Sequence, residues 1–595
     1  MMKKAMLPAV LLVIPCAFAQ ERPEAEIVVE VEARAVPERT DMPETLFRDI
    51  PGVLLRKQGE GSPQADLSAR GAPFNSSGYL LDGLALRNAQ TEHWQFDVAL
   101  PDQWLSTPAL LTGLDRFRLS PGHPSGSVAL ELAPLTENER RIAAGGGEKG
   151  LAFTSAYAAE AETFGKAVAG ASAFATFDHS DRTDAYKDNH LTRATGGGRI
   201  SASRESLQAD LLASYAWKTC GARGWYGTSP AYPASEDVRQ MTVAGTLKLT
   251  HDEPQPHVSR VTALWRRVED VYLLNRHDPA FYKNEHLTDF IALHGETRLT
   301  PAEVWSVDLR ADGELEDIVS ASLGDHTRAR GSFAVLPNAH LGPLTLTAGG
   351  ALDIFTTDRP AWLPATGAAW AVTPRQTLFA SYTEAVRQPS YTELNYNSPA
   401  SLGNTGLARQ RTRTTELGWK GEADTAAWRT AVFYENSRNV VDWVQDAPGA
   451  RWTAVNLEGL EAFGAAADGR VRITQTIALG LDALALAKTC DTAFHASRYA
   501  FDYPEASLGL TWRQYLLHDL FLHLRQGISK FERNPARQGD DWFWDTRVDV
   551  RWHVPWVTGF TLGAGASNLL GESFQVYPGQ AAAGRRFYAS AAYQW

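Results

Sequence analysis

From about Leu151 onward, apolar and polar residues alternate along the chain in short segments separated by turn residues. In Ala427–Tyr434, alternate residues from Trp428 to Tyr434 share one face, and Arg429 lies on the other. Segments with the same period are 378–382, 471–479, 506–512, 521–526 and 542–552. A period of two without a helical period predicts β-strands. In a bilayer such strands satisfy their backbone groups only as a closed barrel.

A different pattern occupies Leu46 to Leu132, where short apolar runs alternate with Gly, Pro, Asn and Ser. The runs are Ile50–Leu55, Leu67–Gly71, Tyr79–Leu84 and Ser125–Leu132. Short runs bounded by turn residues predict a small mixed domain of short strands and turns. Gly145 to Gly150 matches G-x-G-x-x-G, but it lacks the strand before and helix after that a nucleotide site needs. We predict a flexible linker there.

The N-terminus has the pattern of a cleaved secretion signal over residues 1–19. Lys3 and Lys4 precede a short apolar run, and Ala17-Phe18-Ala19 provides a cleavage site before Gln20. The apolar run is shorter than the ~20 residues that a membrane-spanning helix needs. Glu21 to Arg39 is charged and lacks a core pattern, so we expect an extended segment.

The composition and the absence of catalytic motifs limit the classes of function that this chain can have. The 595 residues carry a formal net charge of −12, which argues against nucleic acid as a partner. After cleavage of the signal, two cysteines remain, Cys220 and Cys490, and an exported pair of this kind can oxidise or stay free. The catalytic motifs G-x-S-x-G and H-E-x-x-H are absent, so we predict neither an enzyme, nor a cofactor, nor a metal site.

The order P-G-V, S-x-R-G and L-x-D-G-x-x-L in the N-terminal domain resembles the plug domain of TonB-dependent outer-membrane receptors. Several later segments resemble the barrel of the same family: Phe379–Leu394, Gly403–Leu407, Thr415–Lys420 and Asn568–Gly571. The closest resemblance is to the vitamin-B12-type and siderophore receptors.

The resemblance implies a 22-stranded antiparallel transmembrane β-barrel over residues 150–595, with a small α/β plug domain over 46–135 inside its lumen. Roughly 450 residues shared by 22 strands leave about 20 for each strand and its connection, which fits ~10-residue strands with loops. The strand Phe587–Trp595 alternates and ends in an aromatic residue, a feature that outer-membrane barrel assembly recognises. The plug departs from the family pattern, because its first segment is short and its closing motif lacks the Tyr-Gly portion.

The resemblance also assigns a role to a short apolar run within the periplasmic segment 20–45. This run looks like a TonB box, which pairs as an added strand with a TonB-type energising protein; an ordinary edge strand is the other interpretation. The residues of the predicted box are Glu26, Ile27, Val28, Val29, Glu30 and Val31.

Aromatic loops are the candidates for ligand binding. His93 and Trp94 lie where the family has a substrate-facing plug loop, and Trp225 and Tyr226 lie in a segment like one of similar receptors. Asn275–His286 resembles another extracellular stretch. Rings stack on large planar ligands, so a cobalamin-like corrinoid, a ferric siderophore, haem and a glycan all remain open. The alternative functions are a passive or structural barrel, such as a porin or adhesin, with a degenerate plug.

Overall fold

The computed structural model describes residues 47, 49–93, 99–120, 122–252, 257–517 and 519–595. The predicted signal peptide 1–19, the segment 20–45 with its box, and Trp94 lie outside the described residues, so their assignments remain predictions. Among the residues described, no helix is long and apolar enough to cross a membrane.

The described chain forms short strands in the N-terminal domain, long strands in the barrel and a few strands within loops, numbered here in chain order. The plug strands are β1 (Val53–Lys57), β2 (Ala65–Ala69), β3 (Ser77–Leu81), β4 (Leu84–Leu86), β5 (Ala109–Leu111) and β6 (Gly126–Leu130). The barrel strands are β7 (Glu139–Gly147), β8 (Ala152–Phe164), β9 (Ala167–Ser180), β10 (Leu191–Arg204), β11 (Leu207–Gly221), β12 (Ser235–His251), β13 (His257–Leu273), β14 (Lys283–Ala302), β15 (Trp305–Ser320), β16 (His326–Leu341), β17 (Leu344–Phe355), β18 (Ala361–Thr373), β19 (Gln376–Arg387), β21 (Gln410–Ala423), β22 (Ala426–Arg438), β25 (Leu460–Arg472), β26 (Ile477–Thr489), β28 (Pro504–Leu517), β29 (Leu520–Phe531), β30 (Trp542–His553), β31 (Phe560–Ser567) and β34 (Arg586–Gln594). The loop strands are β20 (Ser401–Leu402), β23 (Val440–Gln445), β24 (Trp452–Leu457), β27 (Ala496–Ser497), β32 (Gln575–Tyr577) and β33 (Gln580–Ala581). The α-helices are α1 (Gly113–Leu119) and α2 (Tyr391–Asn395).

The 22 barrel strands pair antiparallel with their neighbours around a complete circle, which confirms the predicted strand number and closure. The last strand, β34, pairs with the first, β7, in a register that places Gln594 opposite Arg141. Closure gives each barrel strand a neighbour on both sides, so the wall has no open sheet edge in the lipid.

The period of two separates a lumen face from a lipid face on each strand. On β11, Leu211 and Tyr215 point outward and are about half exposed, at 50% and 49%, whereas Asp210 and Leu212 point inward and are buried. On β22, Arg429 points inward and donates to the plug residue Thr112 at 2.9 Å. Apolar outside and polar inside is the pattern of a membrane barrel.

The two rims differ in the length of their connections. Two-residue turns such as Gly165–Lys166 and Gly342–Pro343 occur at one rim, and long loops such as 388–409, 439–459 and 568–585 occur at the other. In barrels of this kind, short turns face the periplasm and long loops face outward. The long-loop rim is therefore the extracellular one.

The N-terminal domain fills the barrel lumen. Strands β1 and β2 form a hairpin, β4-β3-β6-β5 form a second sheet, and α1 contacts the wall strands β15, β18, β19 and β21. The largest apolar cluster joins plug and wall: Trp104 is fully buried, its ring lies 5.2 Å edge-on from Phe174, and its indole N–H donates to Ser172 Oγ at 2.9 Å. The plug is thus part of the barrel's core.

Two sequence-based boundaries are wrong. The barrel begins at Glu139 instead of residue 150, because Gly145–Gly147 lie in β7 and are not a linker. A Cβ on Gly145 would lie 2.2 Å from the Phe153 ring, so this glycine makes room for a neighbouring aromatic side chain. The segment 471–479 is also not one strand, since it contains the turn between β25 and β26.

The two predicted exported cysteines do not form a disulfide. Cys220 is a buried thiol at the end of β11, and Cys490 is a half-buried thiol in loop 490–503. They lie in separate apolar clusters.

Candidate ligand-binding site

The candidate site lies where the top of the plug meets the extracellular loops. Loop strands β20, β24, β23 and β27 form a four-stranded sheet from three different loops. Phe74 of the plug packs against this sheet, contacting a cluster that includes Trp443, Trp452, Tyr499 and Tyr577. We call this group of side chains, together with His93 and Tyr226, the apex cluster.

His93 is held in a defined orientation within the apex cluster. Its ring stacks on Phe74 with centroids 4.1 Å apart, and its Nδ1–H donates to both carboxylate oxygens of Asp66, at 3.0 and 3.1 Å. Tyr577 donates its hydroxyl to the same carboxylate at 2.9 Å. A carboxylate on Nδ1 fixes the ring and directs Nε2 away from Asp66.

Tyr226 comes from loop 222–234 and meets His93 across the top of the plug. The two rings lie 5.8 Å apart, and the Tyr226 hydroxyl donates to Gln64 Oε1 at 2.5 Å. Burial, reinforced by the carboxylates of Glu236 and Asp270, holds the pKa of Tyr226 well above its usual range. The phenol is therefore a neutral hydrogen-bonding group at physiological pH.

Trp225 does not share this position. Its ring is fully buried inside the loop, against a cluster that includes Leu191, Cys220 and Tyr272. The burial does not fit the predicted role in ligand contact, and we assign the ring to the core of the loop. The glycines beside it form a tight turn, with Gly224 and Gly227 at φ 77° and 72°, in the left-handed region that glycine adopts without strain.

The tip of the β1–β2 hairpin is tied to several loops. The Glu60 N–H donates to the Thr183 carbonyl at 2.7 Å, and Lys218 Nζ donates to the Pro63 carbonyl at 2.5 Å. Lower on β1, Arg56 pairs with Asp502 at 2.8 Å, and Arg537 pairs with the same carboxylate at 2.6 Å. The hairpin is therefore fastened to outer loops from distant parts of the chain.

The motif Arg387–Glu393 has a structural role at this site. Ser390 and Glu393 form a capping box that starts α2, and Arg387 makes two hydrogen bonds to the Glu393 carboxylate, at 3.0 and 3.1 Å. Asn75 of the plug also donates to Glu393, at 2.9 Å. The motif thus anchors loop 388–409 to the plug beside Phe74.

Charged side chains join the plug to the wall below the apex. Arg70 makes a two-pronged pair with Glu416 of β21, with both N–O distances 3.1 Å. Asp82 lies in the predicted Asp82-Gly83 turn and pairs with Lys248 of β12 at 2.6 Å. Burial raises the pKa of Asp82, although the neighbouring cations of Lys248 and Arg260 favour its ionised form. Such pairs hold the plug in place without a covalent bond.

Within the described ranges, no group of three or more His, Cys, Asp and Glu side chains is arranged to hold a metal ion. Sequence reasoning identified His93 and Tyr226 but missed Phe74, Asp66, Tyr499 and Tyr577. Asp66 precedes the motif Ser68-Ala69-Arg70-Gly71, and Phe74 follows it. The signal that could have identified both residues is therefore their position beside this plug motif. The tyrosines come from distant loops and have no local signal.

The family model described as "TonB dependent receptor-like, beta-barrel" matches residues 144–569. The chain belongs to the TonB-dependent receptor family. Members of this family are outer-membrane transport proteins and not enzymes, in agreement with the expectation from the sequence. A comparison with curated proteins gives no match.

Solved receptor structures have the same fold. The ferric enterobactin receptor PfeA of Pseudomonas aeruginosa, as its G324V mutant, superposes with a TM-score of 0.74 at 14% identity, covering 95% of this chain and 97% of that chain. The siderophore receptor PirA of the same organism gives 0.70 at 15% identity, with 95% and 98% covered. The copper transporter OprC gives 0.71 at 13% identity, with 92% and 94% covered. At these identities the likeness concerns the fold of the receptor.

Proposed function

We propose that this receptor imports a scarce, large nutrient, either a corrinoid of the cobalamin type or a ferric siderophore, with energy from a TonB-type protein. The observation that carries the proposal is the apex cluster, in which plug and loop aromatics converge directly above a lumen filled by the plug. Rings on rigid supports provide stacking surfaces for a large planar or aryl-bearing ligand. Receptors of similar fold are described as binding siderophores or transporting copper.

The proposed route of export and coupling follows from the sequence. A cleaved signal peptide would deliver the chain to the periplasm, and Glu26–Val31 would pair with the energising protein as an added strand. The alternative, a passive or structural barrel, is disfavoured because the plug occupies the lumen and is tied to the wall by buried ion pairs such as Arg70–Glu416. A passive pore needs an open path.

The experiment has two stages. The receptor is purified from its native membrane, and the bound small molecule and metal are identified by mass spectrometry and elemental analysis. Cells with the parent receptor or a variant lacking Glu26–Val31 are then compared for surface binding and uptake of that compound. We expect unchanged binding and abolished uptake in the deletion variant. Equal uptake by both would overturn energised transport and favour the passive barrel.

A further inference from the structure

Arginines gather on the outside of the barrel at the extracellular ends of β21 and β22. Arg411 and Arg413 alternate with Thr412 and Thr414, whose side chains are buried on the lumen face. The two arginines therefore point outward, with side chains 34% and 44% exposed. Arg438, at the end of β22, is also exposed and follows Ser437, which is bonded to Thr412 inside the wall. We call Arg411, Arg413 and Arg438 the arginine patch.

The strand register pairs two of these arginines across neighbouring strands. Arg411 is the cross-strand partner of Arg438. The Arg411 guanidinium turns away from Arg438 and donates to Glu384 and to the Trp362 carbonyl, so Glu384 compensates Arg411 and not Arg438. Like charges at opposite positions of a sheet, in a chain of net charge −12, mark a local concentration of positive charge.

The carboxylates near the patch do not balance it. Arg411 and Arg413 share the single carboxylate of Glu384, at 2.5 and 3.3 Å. Above them at the rim, Arg409 pairs with Asp358 at 3.3 Å and also donates to the Arg359 carbonyl. In the part of the chain that the structure describes, Arg438 has no carboxylate at ion-pairing distance. The three arginines of the patch thus have one ion-paired carboxylate, that of Glu384, between them, while Glu461 on the adjacent strand β25 accepts a hydrogen bond from Tyr434.

Other outward arginines near the same rim are matched by acids. Arg267 on β13 makes a two-pronged pair with Asp289, at 3.0 and 2.7 Å. Arg239 on β12 lies 3.4 Å from Asp237. These residues also point to the lipid side, with side chains 43% and 54% exposed. The excess of positive charge is therefore a property of the patch and not of the whole rim.

Below the patch and the Tyr434–Glu461 hydrogen bond, the wall is apolar. Leu417 and Val432, further down the same strands, are exposed to the lipid side, as is Phe463 on the adjacent strand β25. Positive charge at the level of the outer head groups, directly above an apolar wall, matches an anionic lipid whose acyl chains lie along the barrel.

We propose that the arginine patch binds a phosphorylated glycolipid of the outer leaflet, with phosphate oxygens between Arg411, Arg413 and Arg438. Guanidinium groups pair with phosphate through two parallel N–H···O bonds, which suits this role better than a lysine would. Bound phosphate also supplies an anionic partner for Arg438. The acyl chains lie over Leu417 and Val432.

The test uses the intact receptor in detergent micelles, with lipid A as the phosphorylated glycolipid and dephosphorylated lipid A as its control. Apparent dissociation constants come from native mass spectra across a lipid titration. The variant R411Q/R413Q/R438Q is compared with the matched variant R239Q/R267Q, which removes paired arginines near the same rim. We expect lipid A binding to weaken at least tenfold in the first variant and less than twofold in the second. Heat-modifiable migration confirms that each barrel is folded.

Three results would overturn the proposal: equal lipid A binding by the triple variant and the parent, equal binding of dephosphorylated lipid A by the parent, or complete displacement by inorganic phosphate at a small excess over lipid. The last result would mean that the patch takes a free anion. If the triple variant folds poorly, the single variant R438Q is tested in its place. We expect its lipid A binding to be about fivefold weaker, as for one lost charge. Lipid A binding equal to that of the parent would count against the proposal.

Discussion

Arg140 and Trp595 exchange two backbone hydrogen bonds, the Arg140 N–H donating to the Trp595 carbonyl at 3.1 Å and the Trp595 N–H donating to the Arg140 carbonyl at 2.9 Å. This reciprocal pair lies at the periplasmic end of the seam between β7 and β34. The Trp595 ring is 54% exposed on the lipid side and stacks on Tyr593 at 5.4 Å. The terminal aromatic residue is therefore part of the barrel closure.

Removal of Trp595 is expected to lower the yield of folded barrel, because the seam loses both hydrogen bonds and the stacked ring. Charged residues at both Tyr593 and Trp595 should act more strongly, since a charge on the lipid face costs ~2–4 kcal/mol at the midplane and less near the interface. The measurement is the heat-modifiable fraction on gels. Trp305→Ala is the control, because Trp305 is a similarly exposed tryptophan at the same rim; equal losses in both variants would contradict a special role for the seam.

His93→Ala is expected to weaken binding of the co-purified ligand by about thirtyfold, since truncating a central anchor typically costs at least ~2 kcal/mol. Trp94→Ala is predicted to have a similar effect. Equilibrium binding to each purified variant is the measurement. His179→Ala, which alters a partly exposed histidine on the outside of β9 beside Thr192, should bind like the parent. Parent-like binding by both the His93 and Trp94 variants would remove the plug loop from the site.

Trp225→Ala should act on stability and not directly on the ligand. Replacing a fully buried tryptophan by alanine typically costs about 3–5 kcal/mol, and the loop's core would lose its largest ring. We expect faster proteolysis of loop 222–234 and a lower thermal midpoint. Tyr226→Phe, which removes only the hydroxyl bonded to Gln64, should keep the loop protected. A Trp225 variant with normal protection but lost ligand binding would restore Trp225 as a ligand contact.

Glu416→Gln is expected to loosen the plug, because it leaves Arg70 and Arg429 beside a neutral amide inside the wall. Breaking a buried pair on one side costs about 3–5 kcal/mol. Hydrogen exchange should rise in β2 and α1, and bilayer conductance should increase. Glu461→Gln is the control, because Glu461 accepts a hydrogen bond from Tyr434 on the outside of the barrel. Unchanged exchange in the Glu416 variant would show that this pair does not retain the plug.

The loop sheet above the plug should be more stable at pH 5 than at pH 7. Burial raises the pKa of Asp442 on β23 to about 6, although Ser497 and the N–H groups of Tyr499 and Ala500 donate to its carboxylate. Because the folded-state pKa lies above the unfolded value, its stabilising effect is fully present at low pH and is lost as the pH rises through about 6. Lowering the pH from 7 to 5 should add about 1 kcal/mol of local stability.

The measurement for Asp442 is hydrogen exchange of β23 and β24, corrected for the intrinsic pH dependence of exchange. Asp442→Asn, which cannot ionise, should show no change in local stability between the two pH values. An equal pH dependence in parent and variant would assign the effect to another group.

The sequence by itself determined the architecture. A closed barrel places alternate side chains in lipid and lumen, so a strand such as Ala427–Tyr434 can be predicted from its local alternation of apolar and polar residues. The family motifs likewise identified the plug, the Asp82-Gly83 turn and the Arg387–Glu393 segment. His93 and Tyr226 could be chosen as site residues because aromatic groups stood beside glycine-rich or polar turns.

Tertiary structure alone decided which side chains meet. Trp225 and Tyr226 are adjacent in sequence, yet one ring is buried in its loop and the other reaches His93. Gly145–Gly147 form part of a strand because Phe153 of the next strand needs the space, a condition that a glycine-rich pattern does not reveal. Asp66 and Tyr577 are separated by 511 residues and become hydrogen-bonded only when the plug enters the barrel. Contacts across a closed lumen depend on strand register and plug position, which no local window of sequence contains.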